Sequence, residues 1–290
     1  MRVRSLRPRF RRLILLASLL TAIPAWPAAA AAGGADLVAQ RGGRPPPLVV
    51  IVMENHEYGS IVGSSSAPYL NRRFIRGGTL FTNYHAIEHP SLPNYLDMTS
   101  GSNSGCRVSS CPLRSYRTNN IFHQLTVAGI GWRVWQESMP STCALKSRGA
   151  YVVRHNPPAY YADLFPDICD AHDVAYPSRL PRRLRPFTFI TPNICHDMHD
   201  CSVATGDSWL HDHVPGLLKK GAVVVITFDE GSTGAGGGGH VMTAVSGPRV
   251  AAGRRNRRTY DHFGLLAGVE RWFGLDRLHA ARTHRPLPLT

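Results

Sequence analysis

The chain has 290 residues, of which 43% are hydrophobic, and it carries a formal net charge of +14. This excess of basic residues favours anionic partners, either substrates or membrane surfaces, although solvated loop charge that keeps the protein soluble explains it equally well. Nucleic-acid binding is disfavoured, because the sequence has no recognisable nucleic-acid module and no aromatic residues interleave its basic runs, residues 179–186 and 253–262.

The N-terminus, residues 1–32, has the pattern of a secretory signal peptide. Six arginines precede residue 13, an apolar run extends from Leu13 to Ile23, and small residues end in an alanine run. The apolar run is too short to cross a membrane, and no later stretch approaches that length. Cleavage near Ala32 would lower the net charge of +14 by six, to +8. We therefore expect a secreted protein that stays basic after export.

The next segment, residues 33–47, is rich in glycine and proline and lacks periodicity, which is typical of a flexible linker. The folded part, predicted as a single domain over residues 48–290, begins with the apolar run LVVIVMEN (48–55). A second apolar run, AVVVITFDEG, spans residues 222–231. Continuous β-branched runs of this kind are typical of strands that are covered on both faces, as in a mostly parallel sheet.

Further strands and helices alternate between and after these runs. We predict strands at residues 79–86, 131–137, 186–193 and 241–248. We predict helices at residues 67–78, 94–101, 119–129, 208–221 and 262–275. Such alternation over a region of this size predicts one α/β domain with a central, mostly parallel sheet flanked by helices.

Polar residues follow several of the predicted strands at the point where each strand ends. In open α/β sheets the ligands bind just beyond the carboxyl ends of the strands, so residues far apart in sequence should converge there. The residues at these ends are Glu54, Asn55, Asn193, Asp229 and Glu230.

Residues 190–207 also combine histidines with carboxylates, among them Asp197, His199 and Asp200. Histidine and carboxylate together are typical ligands of divalent metals. The alternative is a polar loop closed by a disulfide, but the converging strand ends favour a metal site.

Ser91 lies between two prolines in HPSLPNYL, residues 89–96. One interpretation is that it caps a helix that begins near Pro93, since serine is a favoured N-cap. The other is that it is a nucleophile at the positive end of the helix dipole, where an incoming phosphate or sulfate would be favoured. A base or a metal would have to activate its hydroxyl.

Six cysteines in an exported chain suggest three disulfides. Cys106 with Cys111 and Cys195 with Cys201 would close short loops, which leaves Cys143 for Cys169. This pairing is one of several that spacing allows. A zinc site built from cysteines is disfavoured, because the sequence contains no CxxC pair.

Six motifs in this order resemble a known family: VVIVMENHEYGSIVG, HPSLPNYL, TPN with DMHD, GDSWL, VVITFDEG and YDHFGLL. They are similar to the bacterial phosphoesterase family of secreted acid phosphatases and phospholipases C, a branch of the alkaline-phosphatase superfamily. The resemblance extends over roughly residues 47–278 and is closest to short secreted acid phosphatases that act on phosphoinositides. It implies a three-layer alkaline-phosphatase-like fold and a divalent metal cofactor of undetermined identity and number.

The resemblance also implies roles for single residues. Ser91 would be the nucleophile that forms a phosphoseryl intermediate, with His89 and Asn94 orienting phosphate oxygens and His199 protonating the leaving group. The implied metal ligands are Glu54, Asn55, Asp229, Glu230, Asp197 and Asp200. Residues that would line the pocket or support the ligands are His240, Asn193, His155 and His262.

These features predict a secreted acid phosphatase that hydrolyses phosphate monoesters, including phosphoinositides, as a monomer. A phospholipase C-type phosphodiesterase is the alternative with the same chemistry, and an exported protein that binds phosphorylated ligands without turnover is the alternative from another class. A sulfatase is disfavoured, because the cysteine-containing maturation motif of sulfatases is not seen.

Overall fold

The computed structural model describes residues 45–233 and 237–290. The predicted signal peptide, residues 1–32, and residues 33–44 of the predicted linker lie outside the described residues. The last linker residue joins the folded part, because the carbonyl of Pro47 accepts a hydrogen bond of 2.8 Å from the amide of Val223.

An eight-stranded sheet forms the centre of the molecule. Its strands are β1 (Leu48–Met53), β2 (Gly78–Phe81), β4 (Trp132–Gln136), β5 (Asp173–Ala175), β6 (Phe187–Thr191), β7 (Val223–Phe228), β8 (Thr243–Ser246) and β9 (Arg254–Asn256). Their order in the sheet is β5-β4-β6-β1-β7-β8-β2-β9, and only β8 runs antiparallel to its neighbours. A separate parallel pair joins β3 (Tyr84–His85) to β10 (Tyr260–Asp261). The predicted mostly parallel α/β sheet is confirmed.

The two apolar runs of the sequence form the adjacent central strands β1 and β7. Every residue of both strands is buried. They pair in parallel register from Leu48 with Val223 to Met53 with Phe228. Because the two strands are parallel and in register over their whole length, they end together, and the polar residues after them meet at one edge of the sheet.

Six α-helices lie among the described residues: α1 (Tyr58–Ile61), α2 (Ser91–Ser100), α3 (Ile121–Val127), α4 (Asp167–His172), α5 (Val203–Lys219) and α6 (His262–Phe273). Side chains cap three of them: Asn120 caps α3, Ser202 caps α5 and Asp261 caps α6. Helices α2, α3 and α6 cover one face of the sheet around Val50 and Phe189. Helix α5 packs against β7.

Two predicted elements differ from the structure. The helix expected at residues 67–78 is a π-helix over Leu70–Phe74, in which the Ile75 amide bonds to the Leu70 carbonyl at 2.8 Å. The strand expected at residues 79–86 is divided into β2 and β3. The division occurs at Thr82 and Asn83, because the Thr82 amide still bonds to Asn256 of β9 whereas the Asn83 carbonyl already accepts the Tyr260 amide of β10.

All three predicted disulfides are present: Cys106–Cys111, Cys143–Cys169 and Cys195–Cys201. Among residues 45–233 and 237–290, no helix combines the length and the apolar character that a bilayer span requires.

Candidate active site

Ser91 is the first residue of α2, and its hydroxyl faces two carboxylates. It donates to Glu54 Oε2 at 3.0 Å and to Glu230 Oε1 at 3.1 Å. The N-cap position of α2 is Pro90, and no side chain caps the helix. The interpretation of Ser91 as a helix cap is therefore wrong. A serine hydroxyl bonded to carboxylates can pass its proton to one of them, which is what a serine nucleophile requires.

Glu54, the first residue after β1, is fully buried, and its second carboxylate oxygen contacts two further side chains. Its Oε1 accepts a hydrogen bond of 2.5 Å from the Tyr95 hydroxyl and lies 3.3 Å from His155 Nε2. The other ring nitrogen of His155 lies 3.1 Å from Asp197 Oδ2. Burial lowers the pKa of His155 well below its usual range, which favours the neutral imidazole between Glu54 and Asp197.

Asp229, the first residue after β7, contributes an acceptor to the same site. Its Oδ1 accepts the Asn55 amide at 3.1 Å, and its main-chain carbonyl lies 2.6 Å from His262 Nε2. His262 Nδ1 in turn bonds to the Tyr84 hydroxyl at 2.9 Å, so His262 supports the main chain at Asp229. Two buried oxygens, Asp229 Oδ2 and Asn55 Oδ1, have no hydrogen-bond partner among the described residues.

Four carboxyl groups thus share a small buried volume. Burial and then the negative charges of Asp229 and Asp197 raise the pKa of Glu54 well above its usual range. Burial likewise raises the pKa of Asp197 to about 8, of Asp229 to about 6 and of Glu230 to about 9. Buried carboxylates are stable when a cation or hydrogen-bond donors compensate their charge.

The residues present fit a divalent cation. The ligand atoms of Glu54, His155 and Asp197 lie within 4.8 Å of one another, and all three residues are buried. The unpartnered oxygens of Asp229 and Asn55 belong to the same strand ends. An oxygen-rich set with one imidazole suits metals such as manganese, iron or zinc.

The rim of the site holds His89, His199 and Asp200. His89 Nδ1 lies 2.6 Å from Glu230 Oε2, so this histidine holds Glu230 towards Ser91. His199 donates its amide to Asp197 Oδ1 at 2.8 Å, and its ring Nδ1 lies 2.6 Å from Asp200 Oδ1. Asp200 is exposed and contacts His199 on the outer side. The prediction of Asp200 as a metal ligand does not match this placement.

Asn94 does not face the nucleophile as predicted. Its Oδ1 accepts the amides of Ile87 and Glu88 at 3.0 and 3.2 Å, and its Nδ2 donates to the Glu88 carbonyl at 2.6 Å. All these partners belong to the loop before Ser91. Asn94 therefore fixes that loop and leaves no free group for phosphate oxygens.

Two other predicted pocket residues also lie elsewhere. Asn193 Oδ1 accepts the His196 amide at 3.0 Å and its Nδ2 donates to Ser138 Oγ at 3.1 Å, so this side chain shapes its own loop. His240 stacks on Tyr58 and on His85, with ring centroids 4.4 and 5.1 Å apart. Neither side chain contacts the carboxylate cluster.

Two residues that contact the site, Tyr95 and Arg154, were not predicted from the sequence. Tyr95 lies four residues after Ser91, a spacing that places both on one face of a helix, so this contact was open to prediction. Arg154 Nη2 lies 3.3 Å from His199 Nε2. No pattern in the sequence indicates that contact, because the two residues are brought together by the irregular segment before His155.

A family model described as the Phosphoesterase family matches residues 64–276. The phosphatidylinositol-3-phosphatase of Mycobacterium tuberculosis is 28% identical over 242 residues, which cover 81% of this chain and 79% of that protein. The phosphate-repressible acid phosphatase of Penicillium chrysogenum is 27% identical over 224 residues, which cover 71% of this chain and 54% of the fungal protein. The chain thus spans little more than half the length of that fungal relative.

Solved structures with the same fold include a protein in the alkaline phosphatase superfamily from Vibrio parahaemolyticus. It matches with a TM-score of 0.59 at 13% sequence identity, covering 84% of this chain and 71% of that one. The phosphonate monoester hydrolase of Silicibacter pomeroyi matches with a TM-score of 0.58 at 11% sequence identity, covering 84% of this chain and 76% of that one. At these identities the likeness is one of fold, and it confirms the predicted fold class.

Proposed function

This chain is a phosphoric ester hydrolase that belongs to the Phosphoesterase family, and we propose that it is an acid phosphatase that cleaves phosphate monoesters through a phosphoserine intermediate. The observation that carries the proposal is the hydroxyl of Ser91, which donates to Glu54 and Glu230 at the N-terminus of α2. A helix N-terminus favours the binding of a phosphate group, so nucleophile and phosphate would meet at the same point.

In the proposed reaction Ser91 Oγ attacks phosphorus, and its proton passes to Glu54 or Glu230. The bond from phosphorus to the leaving alcohol breaks, and His199 gives a proton to the departing oxygen. Asp200 accepts from Nδ1 of His199, and Arg154 Nη2 lies 3.3 Å from Nε2, so Arg154 has to leave Nε2 before this nitrogen can carry the proton that it transfers. Water then attacks the phosphoserine and gives a proton to His199, the bond from phosphorus to Ser91 Oγ breaks, and the proton held by Glu54 or Glu230 returns to the serine oxygen as inorganic phosphate leaves.

The residues that would hold a divalent cation are Glu54, His155, Asp197, Asp229 and Asn55. Such a cation supplies positive charge next to the phosphoryl oxygens, where negative charge develops. Tyr95 keeps Glu54 in place, and His89 keeps Glu230 in place.

For the substrate we propose phosphorylated small molecules or phospholipids, including phosphoinositides, because the chain is basic and resembles a phosphatidylinositol-3-phosphatase. We propose a secreted monomer. The three disulfides support an oxidising compartment, and the basic surface supports peripheral attraction to anionic membranes.

The test compares hydrolysis of p-nitrophenyl phosphate with that of bis-p-nitrophenyl phosphate by the purified protein, with and without a chelator. We expect turnover of the monoester, loss of turnover with chelator, and a loss of at least a thousandfold in Ser91→Ala, since removing a nucleophile has effects of this order.

Ser100→Ala is the matched control, because Ser100 lies in the same helix and its hydroxyl bonds only to main-chain groups, the carbonyls of Leu96 and Ser102 and the amide of Ser102. It should keep its turnover. Preference for the diester would replace the monoesterase with a phospholipase C-type phosphodiesterase. Binding of phosphate ligands without turnover across metals and pH would leave a non-catalytic binding protein.

A further inference from the structure

The outer strand β9 and the turn after it carry four arginines, Arg254, Arg255, Arg257 and Arg258, which we call the arginine edge. All four are exposed. Within residues 45–233 and 237–290, strand β9 pairs with β2 alone, and its other side is an edge of the sheet. None of the four forms an ion pair with a carboxylate of the described ranges. Their charge is therefore free for an external anion.

The arginine edge lies on the same side of the molecule as the active site. Strand β9 is parallel to β2 and points in the same direction as β1 and β7. Arg257 and Arg258 follow its carboxyl end, just as Glu54 follows β1 and Asp229 follows β7. Three strand spacings separate β7 from β9, which corresponds to about 14 Å at a spacing of about 4.8 Å.

Three hydrogen bonds hold the turn that presents Arg257 and Arg258. Asn256 Oδ1 accepts the Arg258 amide at 3.1 Å, and the Asn256 carbonyl accepts the Thr82 amide at 2.9 Å. Thr259 Oγ1 accepts a hydrogen bond of 2.7 Å from Asn83 Nδ2. The two arginine side chains thus project from a turn whose backbone position is fixed.

A continuous set of contacts leads from this turn towards the nucleophile. Asn83 Oδ1 lies 2.8 Å from His85 Nε2, and His85 stacks on His240. Gly239, next to His240, bonds to the residue after His85, since its carbonyl accepts the Ala86 amide at 2.9 Å. Ala86 begins the loop that ends at Ser91. The arginine edge and the active site therefore belong to one face.

The second basic run is placed differently. Arg182 and Arg183 precede β6, and Lys220, which precedes β7, donates to the Arg182 carbonyl at 3.3 Å. These residues lie at the amino end of the parallel strands, about 20 Å from the carboxyl end for a strand of six residues at about 3.3 Å each. One flat surface cannot contact this run and the active-site face together.

We propose that the arginine edge is a docking surface for an anionic phospholipid bilayer, which it brings against the face that holds Ser91. This inference rests on the proposed phosphatase function. The separation of about 14 Å is longer than one headgroup, so negative charge must be present at both places at once, as it is on a bilayer surface. The other explanation is that arginines protect a free sheet edge from pairing with a second chain.

The experiment measures co-sedimentation of the purified full chain with vesicles of phosphatidylcholine alone or with 30% phosphatidylglycerol, at about 50 and 300 mM NaCl. The variants are Arg257→Ala/Arg258→Ala and, as a control with the same loss of charge, Arg182→Ala/Arg183→Ala. Every variant keeps the same N-terminal segment, so the lipid affinity of that segment is common to all. Thermal unfolding checks that both variants are folded.

We expect vesicle binding to require phosphatidylglycerol and to weaken with salt. Vesicle affinity should fall about tenfold or more in the Arg257→Ala/Arg258→Ala variant, since each basic residue near an anionic surface contributes about fivefold to affinity. The Arg182→Ala/Arg183→Ala control should lose much less affinity. Equal losses in both variants, or none, would contradict the proposal and leave edge protection as the role of these arginines. Free inositol phosphate competing as well as vesicles would also contradict it.

The result does not depend on turnover. Ser91→Ala should bind vesicles as the unaltered protein does, while it loses hydrolysis of p-nitrophenyl phosphate. Failure of the proposed function would therefore appear in hydrolysis alone, and failure of the docking proposal would appear in sedimentation alone.

Discussion

Tyr95 connects the nucleophile helix to the residue at the end of β1. Its hydroxyl donates to Glu54 Oε1 at 2.5 Å, and its ring stacks on His155 with centroids 5.5 Å apart. Glu54 Oε2 is thereby left to accept from Ser91. Tyr95 touches neither the nucleophile nor the phosphate in this arrangement, so it positions Glu54.

Replacing Tyr95 with phenylalanine keeps the stacking and removes the hydroxyl. We expect kcat to fall by about tenfold to a hundredfold, the usual effect of losing a group that orients a ligand or base. KM should change less, because the substrate makes no contact with the lost hydroxyl. Steady-state kinetics with p-nitrophenyl phosphate measure both constants.

Tyr161→Phe is the control for this prediction. The Tyr161 hydroxyl is also buried and bonds to Thr99 of the same helix at 2.6 Å, away from Glu54. Both variants should lose about 1 kcal/mol of unfolding free energy for one hydrogen bond. A similar fall of kcat in both variants would mean that helix stability, and not the position of Glu54, explains the effect.

At the scale of elements, Asp207 joins α5 to the π-helix. Its two carboxylate oxygens accept the amides of Tyr69 and Leu70, each at 2.8 Å. These amides are at the start of a helical segment, where no intrahelical acceptor is available. The Asp207 carboxylate therefore fixes the start of the π-helix, Leu70–Phe74. The sequence pattern alone predicted a longer helix, over residues 67–78.

Asp207→Ala should lower the free energy of unfolding by about 2–3 kcal/mol, because it leaves two amide groups without their charged acceptor. Urea unfolding measures the loss. The control is Asp212→Ala on the same helix, since Asp212 is exposed and bonds only to His211. That variant should lose less than about 0.5 kcal/mol. A kcat that falls with Asp207→Ala in folded protein would contradict a purely structural role.

The elements that the sequence predicted well are those whose own composition decides their structure. Strands β1 and β7 are buried on both faces, so their apolar runs identify them, and the rule about strand ends then places Glu54, Asp229 and Glu230 correctly. The strands β5, β9 and β10 have only two or three residues each. Their conformation depends on pairing with neighbours, which no local pattern records.

The candidate site shows the same division. Ser91 and the strand-end carboxylates were predicted because helix start and strand end are local features. The position of His155 between Glu54 and Asp197 was not predicted, because it depends on an irregular turn between distant elements. The amide of Asn94 could face a ligand or its own loop with the same sequence around it, and only the folded chain decides between them.

At the scale of the whole molecule, stability should depend on pH through Glu270, which docks the C-terminal segment on α6. Glu270 is buried, its Oε1 accepts the Leu278 amide at 2.8 Å, and its Oε2 has no partner among the described residues. Burial raises the pKa of Glu270 from 4.5 to about 8. The site is remote from the carboxylate cluster, so bound metal should not alter it.

The direction of the pH effect follows from that shift. Because the folded pKa of Glu270 lies above the unfolded one, the protonated carboxyl contributes stability that is complete below about pH 4.5 and is lost as the pH rises to about 8. Glu270→Gln keeps an acceptor for Leu278 and cannot ionise. The free energy of unfolding of the variant should therefore exceed that of the unaltered protein by about 1–3 kcal/mol at pH 8.5 and by little at pH 5.

Urea unfolding of both proteins at pH 5, 6.5 and 8.5 gives this difference directly. Other buried carboxyls titrate in the same interval, but they are common to both proteins and cancel in the comparison. Asp212→Asn corrects for net charge, because Asp212 is an exposed acid, whereas the nearer Asp276 itself raises the pKa of Glu270. If Glu270→Gln gained no more stability with rising pH than Asp212→Asn, the pKa of Glu270 would not be raised in the folded protein, and the prediction would be wrong.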